Sequence, residues 1–127
     1  MIYGVGTDVV EIERIKTALE RHGERFARRI LCPTELERFQ KHRLPANYLA
    51  KRFAAKEAFT KALGTGIKSP ANWHGVWVRN LASGKPVLEF SEALQKLLKA
   101  KGVTSAHVSL SDEKGVAFAT VLLECEK

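Results

Sequence analysis

The sequence has little of what marks several common protein classes. Its two cysteines, Cys32 and Cys125, stand alone without the spacing of a metal site, so we expect reduced structural thiols. No apolar run approaches the roughly 18–20 residues that a membrane-spanning helix needs. The first residues lack the basic-then-apolar order of a secretory signal. The sequence therefore predicts a cytoplasmic protein that does not associate with membranes.

Internal repeats, low-complexity tracts and linkers rich in Pro, Gly or Ser are missing as well. Of the 127 residues, 45% are hydrophobic and 28% are charged, which is typical of a soluble globular protein with its own core. We therefore expect one domain over residues 1–127.

Basic residues are in excess, and the formal net charge is +7. This charge implies a polyanionic partner, which could be a nucleic acid, an acidic protein or a phosphate-rich ligand. A single helix predicted over residues 13–30 carries four arginines spaced 7, 4 and 3 residues apart, which places them on one stripe. A merely solvated face is the alternative interpretation of that stripe. The four residues are Arg14, Arg21, Arg25 and Arg28.

The order of elements predicts an α+β fold with a mostly antiparallel sheet packed against helices. A strand over residues 2–8 contains Gly4 and Gly6, where a backbone or ligand could approach closely. Thr34 and Glu37 are predicted to form the capping box of the second helix. The remaining elements are a helix over residues 47–63 that stops at Gly64, a hairpin over residues 76–90, a helix capped by Ser91, and a hairpin over residues 106–123.

Glu57 and Lys61 lie one turn apart on the helix over residues 47–63, which is otherwise rich in Ala, Phe and Leu. Charges on a helix that is apolar on most sides must be paired or bound to something. Asp8, at the end of the first strand, supplies a second carboxylate. These three groups, with the glycine loop after the helix, predict Mg²⁺-assisted chemistry on a phosphate-bearing substrate. A solvated ion pair without function is the alternative.

His107 alternates with apolar residues in the predicted strand that opens the last hairpin. It shares one face of that strand with Ser109 and Ser111. A hydrogen-bonded structural histidine is the commoner case. Next to two hydroxyl groups, however, His107 is also a candidate contact for a phosphate or an adenine.

Five sequence blocks occur in an order typical of one enzyme family. They are GVGTDVVEI at residues 4–12, RFAAKEAFTK at 52–61, GTG at 64–66, GKP at 84–86 and HVS at 107–109. The chain resembles the holo-(acyl-carrier-protein) synthases, the small bacterial type of 4'-phosphopantetheinyl transferase, over residues 2–123. The resemblance implies the fold of these transferases.

The resemblance also implies an activity and its site. Members move the 4'-phosphopantetheine group of coenzyme A to a serine hydroxyl of an apo-acyl carrier protein, which supports fatty acid biosynthesis, and release adenosine 3',5'-bisphosphate. The implied Mg²⁺ ligands are Asp8 and Glu57, and the implied catalytic residues are Glu57 and Lys61. Homotrimers with sites between subunits are expected, and the arginine stripe would bind the acidic carrier protein. The implied coenzyme A contacts are Arg52, Lys61, Gly66, Pro86 and His107.

Two other functions account for part of the sequence. A small nucleic-acid-binding module would explain the basic charge, but it leaves Asp8 and Glu57 without a role and predicts exposed aromatic residues. A metal-dependent phosphohydrolase would explain the carboxylates, but not the extended arginine face. We therefore expect a transferase that binds no nucleic acid.

Overall fold

The computed structural model describes residues 1–126, so Lys127, the last residue of the expected domain, lies outside it. Along the chain, one strand is followed by four helices, a pair of strands, a fifth helix and a second pair of strands. They are β1 (Ile2–Glu11), α1 (Ile12–His22), α2 (Glu24–Ile30), α3 (Pro33–Lys41), α4 (Pro45–Leu63), β2 (Val76–Asn80), β3 (Pro86–Phe90), α5 (Glu92–Ala100), β4 (Val103–Glu113) and β5 (Val116–Cys125).

All of the strand pairing described is antiparallel. One sheet has the order β1-β5-β4, and β2 pairs with β3 in a separate hairpin. The expected α+β fold with an antiparallel sheet is confirmed. Among residues 1–126, no helix combines the length and the apolar character needed to cross a membrane.

The prediction of one continuous arginine helix is wrong. The chain breaks at Gly23, whose φ of 63° lies in the left-handed region that glycine adopts without steric cost. The break divides residues 13–30 between α1 and α2. The four arginines are therefore shared between two helices instead of forming one stripe.

The predicted capping box of α3 is also wrong by two residues. Pro33 occupies the first turn, where its missing N–H costs nothing. Cys32 precedes it, and the backbone N–H of Cys32 donates to Oε1 of Glu35 at 3.0 Å. Thr34 and Glu37 are exposed instead.

Helix α4 lies directly on β1 because two glycines of β1 leave no side chain between them. A Cβ at Gly4 would stand 2.0 Å from the carbonyl oxygen of Ala62, and one at Gly6 would stand 2.0 Å from that of Ala58. The close approach predicted for these glycines is confirmed, with helix backbone as the neighbour. The next inward-facing residue of β1 is Asp8, which is thereby brought against α4.

The core surrounds α4, as its apolar composition predicted. Its inward residues include Leu49, Phe59 and Leu63, and they pack with the inner face of β5. The outer face of the sheet is different. There Val5, Val9 and Phe118 remain 54%, 59% and 45% exposed.

Candidate functional site

Lys61 is held by β1 rather than by its helical neighbour. Its Nζ donates to Oδ1 of Asp8 at 3.1 Å and to the carbonyl oxygen of Thr7 at 3.0 Å. The side chain of Asp8 is 16% exposed and that of Lys61 is 54% exposed. Among residues 1–126, the salt bridge of Lys61 is this one, and Glu57 takes no part in it. Helical spacing correctly indicated that Glu57 and Lys61 are neighbours, but it could not indicate the partner from β1.

Glu57 is half-buried beside this pair. Its pKa is raised, first because burial disfavours the charged carboxylate and second because of the negative charge of Asp8, while Lys61 opposes the rise. The effect of Asp8 on this pKa means that two like charges are close together at one end of the α4–β1 contact. Such a pair is unfavourable unless a cation lies with it.

The donor set fits a hard divalent cation that is shared with a substrate. Mg²⁺ is usually held by one or two carboxylates and completes its octahedron with phosphate oxygens and water. Asp8 and Glu57 supply those two carboxylates. Residues 1–126 contain no cluster of three or more His, Cys, Asp or Glu side chains that could enclose a metal. Two carboxylates leave the remaining coordination positions of such a cation to phosphate oxygens and water.

The end of α4 exposes backbone beside Lys61. Gly64 stops the helix in the left-handed region with a φ of 89°, which confirms the predicted stop. Gly66 also has a positive φ of 69°, and no atom lies within 4 Å of the Cβ position of either glycine. Both glycines are exposed, so the backbone of this loop is accessible to a ligand.

Arg52 is buried, with 4% of its surface exposed. Its Nη2 donates to Oδ1 of Asn80 at 2.7 Å, and its guanidinium carbon lies 4.3 Å from the centre of the Tyr48 ring. Asn80 in turn donates to the carbonyl oxygen of Gly84 at 3.0 Å. Arg52 therefore supports the β2–β3 turn that leads into Pro86, and its direct contact with coenzyme A stays a prediction.

His107 is separated from the cluster of Asp8, Glu57 and Lys61. It lies on the outer face of β4, where its Nε2 is 2.7 Å from Oε1 of Glu124 and lowers the pKa of that carboxyl. Asp8 faces inward from β1, at the opposite edge of the same sheet. One chain alone therefore does not bring His107 to the carboxylates.

The four arginines remain exposed although their helices are separate. Arg14 and Arg21 line a groove of about 410 Å³, and Arg25 lines a second groove of about 210 Å³. His22 lines both grooves, so the two grooves adjoin, and Glu11 and Glu13 also line the first one. We call the surface around them the basic surface, after its four arginines. Arg28 pairs with Glu24 at 3.1 Å beside it.

Sequence reasoning missed a buried ion pair between Lys56 and Glu35, whose side chains are 0% and 1% exposed. A signal was present, because Lys56 lies seven residues after Leu49 and seven before Leu63. Both leucines belong to the core, and residues seven apart share a helix face.

The chain matches known proteins over nearly its whole length. Residues 4–121 match the family model of the 4'-phosphopantetheinyl transferase superfamily. A holo-(acyl-carrier-protein) synthase of Azoarcus sp. (strain BH72) is 54% identical over 123 residues, which covers 95% of this chain and 98% of that protein. The crystal structure of the synthase from Neisseria meningitidis superposes with a TM-score of 0.94 at 45% identity, covering 98% of this chain and 99% of that one.

A second solved structure includes a ligand. The holo-(acyl-carrier-protein) synthase of Bacillus anthracis str. Ames, in complex with CoA (3',5'-ADP), superposes with a TM-score of 0.82 at 36% identity and covers 99% of both chains. The fold class expected from the sequence is confirmed by these superpositions.

Proposed function

Because this chain belongs to the 4'-phosphopantetheinyl transferase superfamily and is an enzyme of the holo-(acyl-carrier-protein) synthase type, we propose that it modifies an acyl carrier protein with Mg²⁺ and coenzyme A. The serine oxygen of the carrier forms a bond to the phosphorus next to pantetheine. The bond from that phosphorus to the bridging oxygen breaks, and adenosine 3',5'-bisphosphate leaves. The proposed setting is fatty acid biosynthesis in the cytoplasm.

The observation that carries this proposal is the meeting of Asp8, Glu57 and Lys61 at the contact of α4 with β1. A bound Mg²⁺ would supply charge neutralisation and polarisation of the diphosphate. Lys61 would turn its ammonium from Asp8 to the leaving phosphate, because its contacts are at the surface and cost little to exchange.

We assign Glu57 the role of general base for the serine proton, directly or through a water molecule. Its half-buried position and raised pKa support this role, since the protonated carboxyl is more stable here than in water. Asp8 would orient the cation. Gly66 and Pro86 stay proposed contacts of coenzyme A, on the loop after α4 and on the hairpin that Arg52 supports.

The basic surface of Arg14, Arg21, Arg25 and Arg28 is the proposed docking site of the carrier protein. A surface with several exposed arginines favours an acidic partner and speeds its encounter. The exposure of all four side chains supports this assignment.

We also propose that three copies associate through the outer face of the sheet. The exposed apolar side chains of Val5, Val9 and Phe118 support burial of this face. The face also carries His107, opposite Leu122 of β5. Association would let His107 of one copy complete the coenzyme A site of another, which the separation of His107 from Asp8 within one chain favours.

The test is incubation of the protein with coenzyme A, Mg²⁺ and an apo-acyl carrier protein, followed by mass spectrometry of the carrier. One phosphopantetheine on serine is expected with the wild type and none with Asp8→Asn or Glu57→Gln. Glu37→Gln is the matched control, because it makes the same change at an exposed ion pair of α3. An unmodified carrier with the wild type would overturn the proposal, and hydrolysis of coenzyme A without a carrier would favour a phosphohydrolase instead.

A further inference from the structure

We propose that the buried ion pair of Lys56 and Glu35 is a positioning pair, which fixes the direction of Glu57 relative to the segments that bind the two substrates. The inference rests on the proposed function, since it assigns a cause to the placement of Glu57. Lys56 directly precedes Glu57 on α4. Consecutive helical residues point about 100° apart, so the direction of one sets the direction of the next.

Every donor of the Lys56 ammonium is used. Its Nζ donates at 2.7 Å to the carbonyl oxygen of Ile30, at 2.7 Å to Oε1 of Glu35 and at 2.7 Å to the carbonyl oxygen of Trp73. An ammonium has three hydrogens, and these acceptors account for all of them. The side chain is 0% exposed, so water cannot substitute for a lost partner.

Glu35 extends the network to the hairpin. Its Oε1 also accepts the N–H of Cys32 at 3.0 Å, and its Oε2 accepts the N–H of Val78 at 2.9 Å. Glu35 is 1% exposed. The carboxylate therefore connects the start of α3 to β2, while Lys56 connects both to α4.

The segments bonded to this ion pair are those to which the proposed function assigns carrier binding and coenzyme A binding. Ile30 ends α2, which bears two of the carrier-binding arginines. Trp73 lies in the connection that begins with the glycine loop of Gly66, and Val78 lies in the hairpin that contains Pro86. The pair therefore fixes the carrier surface, the coenzyme A loop and the catalytic helix relative to one another.

An apolar side chain would stabilise the core without fixing these directions. Leu49 and Leu63 occupy the equivalent positions one heptad before and after Lys56 and are buried by ordinary packing. A buried ion pair has a large desolvation cost and is often no more stabilising than apolar residues of similar volume. Its distinguishing property is directional bonding, and here it bonds α2, α3, α4, the following connection and β2.

The test compares steady-state kinetics of carrier modification by the full-length wild type with those of Lys56→Met and Glu35→Gln, well below their melting temperatures. We expect kcat to fall roughly 10- to 100-fold in Lys56→Met, because small misplacements of catalytic groups have effects of that size. The KM for coenzyme A should change less than kcat does, since the residues proposed to bind it are retained and mainly their position relative to Glu57 shifts. Glu35→Gln keeps an acceptor for Lys56 and should show the smaller fall in kcat.

The control is a core variant of α5, Leu94→Ala or Leu98→Ala, chosen to match the loss of melting temperature. It should keep the wild-type kcat. An equal fall in kcat in that control, or an unchanged kcat in both test variants, would overturn the inference. Failure of both test variants to fold would also overturn it, because the pair would then be a requirement of the fold. An inactive wild type would instead contradict the proposed function itself.

Discussion

Lys56 and Lys61 lie five residues apart on α4, and each is paired with a carboxylate from another element. The pair of Lys56 and Glu35 is fully buried at 2.7 Å, and all its bonding capacity is used. The pair of Lys61 and Asp8 is longer, at 3.1 Å, and the lysine is 54% exposed. Burial therefore separates a lysine that holds the fold from one that is exposed enough to exchange its partner, as the proposed role of Lys61 requires.

The largest difference between the two pairs is expected in stability. Lys56→Met should lower the free energy of unfolding by about 3–5 kcal/mol, because it leaves a buried carboxylate without its counter-ion. Lys61→Met should lower it by less than about 1 kcal/mol, the range of exposed ion pairs. Urea unfolding of both variants measures the difference. Equal losses in the free energy of unfolding would contradict the proposed difference between the two ion pairs.

For the activity of each folded molecule, the larger loss is expected at Lys61 and the smaller one at Lys56. Lys61→Met should lower kcat/KM for carrier modification by roughly 10²–10³-fold, the usual loss when one group that stabilises developing charge is removed. Lys68→Met, an exposed lysine beyond the glycine loop, serves as the control and should keep most of the activity. A Lys61→Met enzyme with wild-type kcat/KM would show that this lysine does not act on the phosphate.

A smaller effect is expected at the exposed arginines, which extend the comparison to charges on the surface. Arg21→Glu should weaken carrier binding by about tenfold and reduce its dependence on salt, because electrostatic steering is lost. The affinity for coenzyme A should not change. Lys99→Glu on α5 makes the same charge change outside the basic surface. An equal loss of coenzyme A affinity in Arg21→Glu, measured by calorimetry, would contradict the separate roles.

The smallest effect concerns the stability cost of ionised Glu57. Folding raises the pKa of Glu57. The protonated side chain therefore makes its full contribution to the free energy of unfolding below the ordinary pKa near 4.5. This contribution is lost as the pH rises through the raised pKa of the folded state. Glu57→Gln carries no charge and should escape that loss. The melting temperature of Glu57→Gln should therefore increase relative to that of the wild type as the pH rises from about 4 to 8. A constant difference over this range would mean that ionisation of Glu57 does not oppose folding.

Local signals in the sequence predicted much of the fold. Gly64 ends α4 because it adopts the left-handed conformation, and Ser91 caps α5 because its Oγ accepts a hydrogen bond from the N–H of Leu94. The glycines of β1 indicated close approach of a backbone or a ligand, and the structure shows the backbone of α4 there. These features depend on a few neighbouring residues, so they can be recognised before the tertiary structure is known.

Features that depend on distant segments were missed or only partly predicted. Helical periodicity runs through Gly23 without showing that the chain turns there. The spacing of Glu57 and Lys61 suggested a local pair, but the fold supplies Asp8 from more than 50 residues away. The partner of Lys56 could not be predicted either, because Glu35 belongs to α3 and approaches Lys56 only when α3 packs against α4.

The most direct test of the central claim is a crystal structure of the protein with coenzyme A and Mn²⁺, located by its anomalous scattering. The expected result is one Mn²⁺ bound at roughly 2 Å by oxygens of Asp8, Glu57 and the diphosphate, with the ammonium of Lys61 moved from Asp8 to a phosphate oxygen. A metal ion bound elsewhere, or a Lys61 still bonded to Asp8 with the diphosphate at a distance, would contradict the claim.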